Sequence, residues 1–322
     1  MPSTNYSFKQ VNHIGDTYLM NKLEVNLKTW FDWALLRAGG WTNVSIPLPG
    51  AYGGDFSTLR QVDDPSYTAG TVWESVRKDW VWETGVDYVG TDTVTYNPTS
   101  PAVVQVDSVV TAPDHINYPL GRVIFATPIS SSSTVQAQYS YRYAQVYRAD
   151  DVPWWNELQY RSFRPDDVQF TELEDGSWSV GSQHRFQMPC VIIEAVPRSM
   201  SRPYQLGDGA AWVEQDVLVH VLAENRNDRN KLVDIFRGQF DASIDLFDND
   251  AIAAADAYPL DYRGEIVDSS QTYPALVNPD TGYVWNQSSV RFSRTEVAEV
   301  ESLNSRLFEG VVRMTCEIIL ND

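Results

Sequence analysis

Cysteine is nearly missing from this chain: Cys190 and Cys316 are the only two in 322 residues. Each stands in an apolar, strand-like run far from the other, which excludes a disulfide framework and predicts two buried free thiols. The opening "MPSTNYSFKQVNHIGD" lacks the basic-then-apolar layout of a secretory leader, so folding in a cytoplasm is expected. Histidine is scarce as well. His13, His115, His184 and His220 are scattered without metal-ligand spacing, and neither H-E-x-x-H nor C-x-x-C occurs. No apolar run approaches the length of a membrane span. Positive charge is also sparse: 24 Lys and Arg face 43 Asp and Glu, a formal net charge of −19, with no dense basic run. Tight wrapping of nucleic acid needs clustered cations and is thereby excluded. Two readings of the acidity stay open: simple solubility, or a negative wall past which DNA slides without sticking.

What the chain does have is apolar and aromatic mass. Hydrophobic residues make up 43%, with 11 Trp and 17 Tyr, enough for more than one packing unit. Leu19, Leu23, Leu27, Trp30, Phe31, Ala34 and Leu35 recur at steps of three and four, which predicts a helix. Asp16 or Thr17 can cap its start, and Gly39 and Gly40 end it. Residues 41–70 show no sustained period and read either as an arm laid on a neighbouring subunit or as a loop folded back on its own domain. Val72, Trp73, Val76 and Trp80 then share one helical face. From about residue 90 to 149 the pattern turns to short β runs. In the last of these, Val135, Ala137, Tyr139, Tyr141 and Tyr143 alternate with polar residues, so a small antiparallel sandwich or hairpin module is expected. In the final third, residues 188–196, 211–223, 284–297 and 311–320 read as strands. Val312, Met314, Cys316, Ile318 and Leu320 alternate with Arg313, Thr315 and Glu317 in the clearest of them. The sum is an α+β domain, an antiparallel sheet with helices packed on one face. The organisation expected is a helix and arm over 1–85, an inserted all-β module over 86–150, a connecting segment over 151–187 and the α+β domain over 188–322.

The stretch "DVLVHVLAENRNDRNKLVDIF" (216–236) joins a strand directly to a helix, a junction that in other sequences holds a phosphate or a catalytic acid. Here the turn carries no glycine, so backbone amides cannot close on an anion. Asn225 or Asn227 can cap the helix, and Leu232, Val233, Phe236 and Phe240 form its buried stripe. His220 stands alone on an apolar strand, where a packed, hydrogen-bonded role is commoner than a base. Asp248, Asp250 and Asp256 cluster, but an EF-hand loop starting at 248 would need Gly at 253 and Glu at 259, where Ala and Pro stand. No G-x-S-x-G occurs. The chain therefore offers no catalytic, cofactor-binding or metal-binding set, and an architectural role is expected.

Several segments together resemble virion structural proteins of tailed bacteriophages: "LKTWFDWALLRAGGWTNVSIP", "GAYGGDFSTLRQVDDPSYTAGTVWESVRKDWVWE", "RPYQLGDG" and "VHVLAENRNDRNKLVDIF". The layout of the first helix and of residues 186–322 is similar to the tail terminator, or tail completion, type. "GRVIFATP" followed by "VQAQYSYRY" resembles hairpins of phage structural proteins. The resemblance implies a six-fold ring that caps the tail tube, and the sheath in contractile tails, and receives the head–tail connector. The implied partners are further copies of the chain, tube, sheath and neck proteins, and DNA that passes without tight binding. The implied place is the virion, assembled in the host cytoplasm, with no membrane. Another neck component, or a carbohydrate-binding host-recognition module using the aromatic residues, is the alternative.

Overall fold

The structure, a computed structural model, describes residues 19–47, 56–86, 102–152, 154–155, 170–172, 178–180, 184–205, 209–285, 289–304 and 307–320. It is α+β, with mostly antiparallel sheets and four α-helices among the described residues. Helix α1 spans Leu19–Arg37, as its apolar spacing predicts, and Gly39 beyond its end takes φ 84°, a conformation that a side chain would oppose. The expected caps Asp16 and Thr17 lie outside the described residues.

A β-sandwich follows. Strands β1 (Trp41–Val44), β2 (Arg60–Gln61), β3 (Val72–Glu74), β4 (Val103–Val106), β5 (Val109–Val110), β6 (His115–Asn117), β7 (Arg122–Ile124) and β8 (Val135–Arg142) form two four-stranded sheets. Their orders are β1-β8-β4-β5 and β2-β3-β7-β6, and every pairing within them is antiparallel. Between them lie Leu59, Trp73, Trp80, Val104, Val123, Val135, Ala137 and Tyr139, with Trp80 and Tyr139 stacked at 4.1 Å. Two expectations change here. Residues 72–80 are not a helix, because Val72 and Trp73 pair with Ile124 and Val123 across β7, and Asp79 takes φ 58°. Residues 41–47 and 56–86 supply β1–β3 to the sandwich, so its boundary falls after α1 and not at residue 86. The described part of the expected arm is thus folded into its own domain, whereas residues 48–55 lie outside the described set.

The second unit is a long sheet. After β9 (Gln145–Arg148), a small sheet of β10 (Phe170–Glu172), β11 (Trp178–Val180) and β12 (His184–Phe186) lies within the expected connecting segment. Strands β13 (Cys190–Pro203) and β14 (Ala211–Ala223) come next. Helix α2 (Arg226–Arg237), strand β15 (Ser243–Ile244), helices α3 (Asn249–Ala255) and α4 (Tyr273–Leu276), and strands β16 (Val290–Asn304) and β17 (Leu307–Leu320) complete the chain. The six-stranded order is β15-β16-β17-β14-β13-β9. All neighbours are antiparallel except β13 and β9, which run parallel, so the purely antiparallel sheet expected from the sequence has one parallel edge. Strands β14 and β17 pair without interruption from Ala211↔Leu320 to Ala223↔Phe308, a blade roughly 45 Å long at about 3.4 Å per residue.

One face of this blade meets α1 and α2. Val213, Val217, Val219 and Val221 of β14 and Val312, Met314, Cys316, Ile318 and Leu320 of β17 pack on Leu23, Leu27 and Phe31 of α1 and on Leu232, Val233 and Phe236 of α2. Phe31 and Phe236 stack at 3.7 Å, which joins the helices to each other above the sheet. Each such fully buried side chain contributes about 1.5–3 kcal/mol. On the opposite face, Cys190, Ile192, Leu222 and Leu307 pack under Trp154, Trp155 and Phe186.

Candidate functional site

Three carboxylates converge on one guanidinium where the sandwich meets the blade. Arg142 ends β8 and its side chain is buried. Its Nε donates to both oxygens of Asp32 on α1 at 2.8 and 3.0 Å, and Nη1 donates to the Trp80 carbonyl at 3.2 Å. Nη2 donates to Glu83, and Asp79 lies 3.9 Å from Nη1. One cation cannot offset three carboxylates, of which Glu83 is buried and Asp32 and Asp79 are partly exposed. Burial, opposed by Arg142 and reinforced by Asp32, pushes the Glu83 carboxyl up to about 7. Further ties surround the cluster. Tyr143 donates its hydroxyl to Asp228 at the start of α2 at 2.6 Å, and the Lys78 amide donates to the Gln187 side chain at 3.0 Å. The joint is therefore cross-linked by polar contacts. Beside it opens a cleft of about 230 Å³, lined by Arg77, Tyr141, Tyr143, Pro189, Glu224 and Asp228 among others.

The strand–helix corner at 216–236 has the architecture its sequence predicts, except that α2 ends at Arg237 and Phe240, expected in its buried stripe, lies beyond the helix and is exposed. Asn225 caps α2, its side chain accepting from the Asp228 amide at 2.8 Å. Both faces of β14 are engaged. His220 is a packed residue, with Nδ1 3.1 Å from Glu309, Nε2 3.7 Å from Glu194, and its ring 4.5 Å from Trp155. Of the other histidines, His115 and His184 are on β6 and β12, and His13 lies outside the described residues. Cys190 and Cys316 are free and buried, and burial raises the Cys316 thiol to about 12, which keeps it protonated. In the acidic stretch, Asp248 accepts from Lys22 of α1 at 2.5 Å and caps α3. No grouping of metal-ligating side chains occurs among the described residues. No helix among them is long and apolar enough to cross a membrane.

The blade's other long feature is a polar surface that the sequence did not single out. Beyond the aromatic cover, Asp216 accepts from Arg313 Nε at 3.1 Å and from Thr315 at 2.8 Å, and Arg198 approaches it at 3.4 Å. Glu296 reaches Arg313 at 3.5 Å and Arg294 at 2.8 Å. Past this ladder, residues 197–205 of the β13 arm are exposed, and Met200, Tyr204 and the Arg202–Trp212 stack stand at its end. The alternating charges of β16 and β17 were the available signal. They mark a sheet face held by ion pairs instead of apolar packing.

Comparison of the chain with protein-family models, with curated proteins and with solved structures gives no match.

Proposed function

We propose that this chain is a structural protein of a tailed-phage virion at the head–tail junction, a ring subunit of the tail-terminator type. The sequence segments quoted above supply the resemblance. The observation that carries the reading is the blade, a long, tightly registered sheet with α1 and α2 on one face and a second unit clamped to it. An antiparallel sheet with helices on one face is what the resemblance leads one to expect, and a stiff sheet suits a ring subunit that transmits force between neighbours. The net charge of −19 suits a channel past which DNA moves without binding.

A host-recognition module would present flat aromatics on the sandwich surface. Among the described aromatics of the sandwich, Trp73, Trp80, Tyr118 and Tyr139 are buried in its core while Phe56 and Tyr67 are exposed; the buried set supports packing over a stacking platform. Gold-antibody labelling of intact phage particles in the electron microscope tests the proposal. Label at the neck is expected. Label on the distal tail or fibres, or none on the virion, would overturn it.

A further inference from the structure

The blade has two sheet edges that stop short of their neighbours, at opposite sides. On one side, β9 covers β13 only from Cys190 to Ile193. The Glu24 carboxylate then takes the Ala195 amide at 2.7 Å, and beyond it β13 has no partner on its outer side among the described residues. The Tyr204 amide donates to the Ala210 carbonyl at 3.0 Å, so residues 200, 202 and 204 turn their backbone groups inward to β14 by the alternation of an antiparallel ladder. Ser199 and Ser201 then point their N–H and C=O groups outward. On the other side, β15 pairs with Val290 and Arg291, and the Ala242 carbonyl takes the Phe292 amide at 2.9 Å. Past Thr295, whose hydroxyl donates to the Arg237 carbonyl, the backbone of β16 to Asn304 has no outer partner among the described residues.

The two edges differ in charge. Residues 196–205, "VPRSMSRPYQ", carry Arg198 and Arg202 and no carboxylate, in a chain with 43 acids. Residues 296–304, "EVAEVESLN", carry Glu296, Glu299 and Glu301 and no cation. Arg198 and Arg202 are largely exposed, at 72% and 54%, although Asp216 and Glu214 each stand 3.4 Å away. Among the described side chains, Met200 and Tyr204 are exposed apolar groups on the first edge and Val297 on the second. Pro197 and Pro203 bracket the basic window, which limits pairing to a short register.

We infer that the outer edge of β13 in one copy pairs with the outer edge of β16 in the next, extending the sheet from subunit to subunit. Like-edge pairing would set cations against cations or carboxylates against carboxylates and is disfavoured. The contact is thus head-to-tail, and repetition gives a closed ring or an open filament. Closure into a ring rests on the head–tail-junction reading, but the contact itself does not.

The test is native mass spectrometry of the full chain at rising concentration, with two variants. Wild type is expected to associate. R198E/R202E, acidic on both edges, and E299K/E301K, basic on both, are each expected to associate about tenfold more weakly or worse. Mixed together they should recover association as alternating assemblies, which a folding defect would not allow. In the wild type, hydrogen exchange at the Ser199 and Ser201 amides should slow as concentration rises. A wild type that stays monomeric, or assemblies indifferent to both reversals with those amides unprotected, would overturn the edge pairing. Neck labelling with indifferent assemblies would leave the virion role standing, and edge-dependent assembly with no neck label would do the reverse.

Discussion

Glu83 is the residue whose chemistry the fold alters most plainly. It is 4% exposed and shares the Arg142 guanidinium with Asp32 and Asp79. Its carboxyl is raised from 4.5 to about 7, first by burial. The folded chain therefore holds this proton more tightly than the unfolded chain does. The stability it contributes is full below about pH 4.5 and is lost as pH rises through about 7. Asp79, raised to about 6 by the same burial, acts in the same direction. Glu83→Gln keeps an uncharged acceptor for Arg142. The melting temperature of the variant should gain on that of wild type as pH rises from 4.5 to 7, read by calorimetry across that range. Parallel curves for the two proteins would mean that the carboxyl keeps an ordinary affinity for its proton.

Among the elements, α2 sits close on β17 at Gly310. A Cβ built on Gly310 would lie 2.6 Å from Cγ2 of Val233 and 3.3 Å from Cδ of Arg229. Val233 is β-branched and fixed on the helix, so it cannot swing aside. A glycine in a strand ordinarily weakens it, and alanine would improve local propensity. Here the collision decides the sign, because α2 must lift from a sheet it meets through Leu232, Val233 and Phe236. Gly310→Ala should destabilise by about 1–3 kcal/mol, as overpacking does, measured by chemical denaturation. An unchanged or raised midpoint would show that α2 rides loosely on the sheet. The sequence displays Gly310 only as a break in an alternating run, and nothing in it names the helix above.

At the scale of the whole molecule, charge and shape act together. The acidic excess is spread along the chain, while the open β13 arm, residues 196–205, carries no carboxylate. The proposed ring would be assembled from copies of a chain with a net charge of −19. The channel wall of an assembled ring is expected to be net negative, read from a cryo-electron microscopy reconstruction. A strongly basic lining would contradict passage of DNA without binding.

Long periodic segments declare themselves in the amino-acid order. The spacing of Leu19 to Leu35 specifies α1, the alternation of Val312 to Leu320 specifies β17, and Asn225 marks the start of α2, because local geometry sets which side chains share a face. Residues 72–80 show where that rule stops. Their three-and-four spacing is also produced by a strand followed by turns, and the choice was made by pairing with β7, which lies some fifty residues on in sequence. The same holds for Arg142, Asp32, Glu83 and Asp79, which are scattered over more than a hundred positions and meet only when α1 packs between two β units. The parallel β9 edge and the two open edges likewise depend on which strands run out first. Packing decides those features, because they are properties of pairs of segments and neither segment carries the information alone.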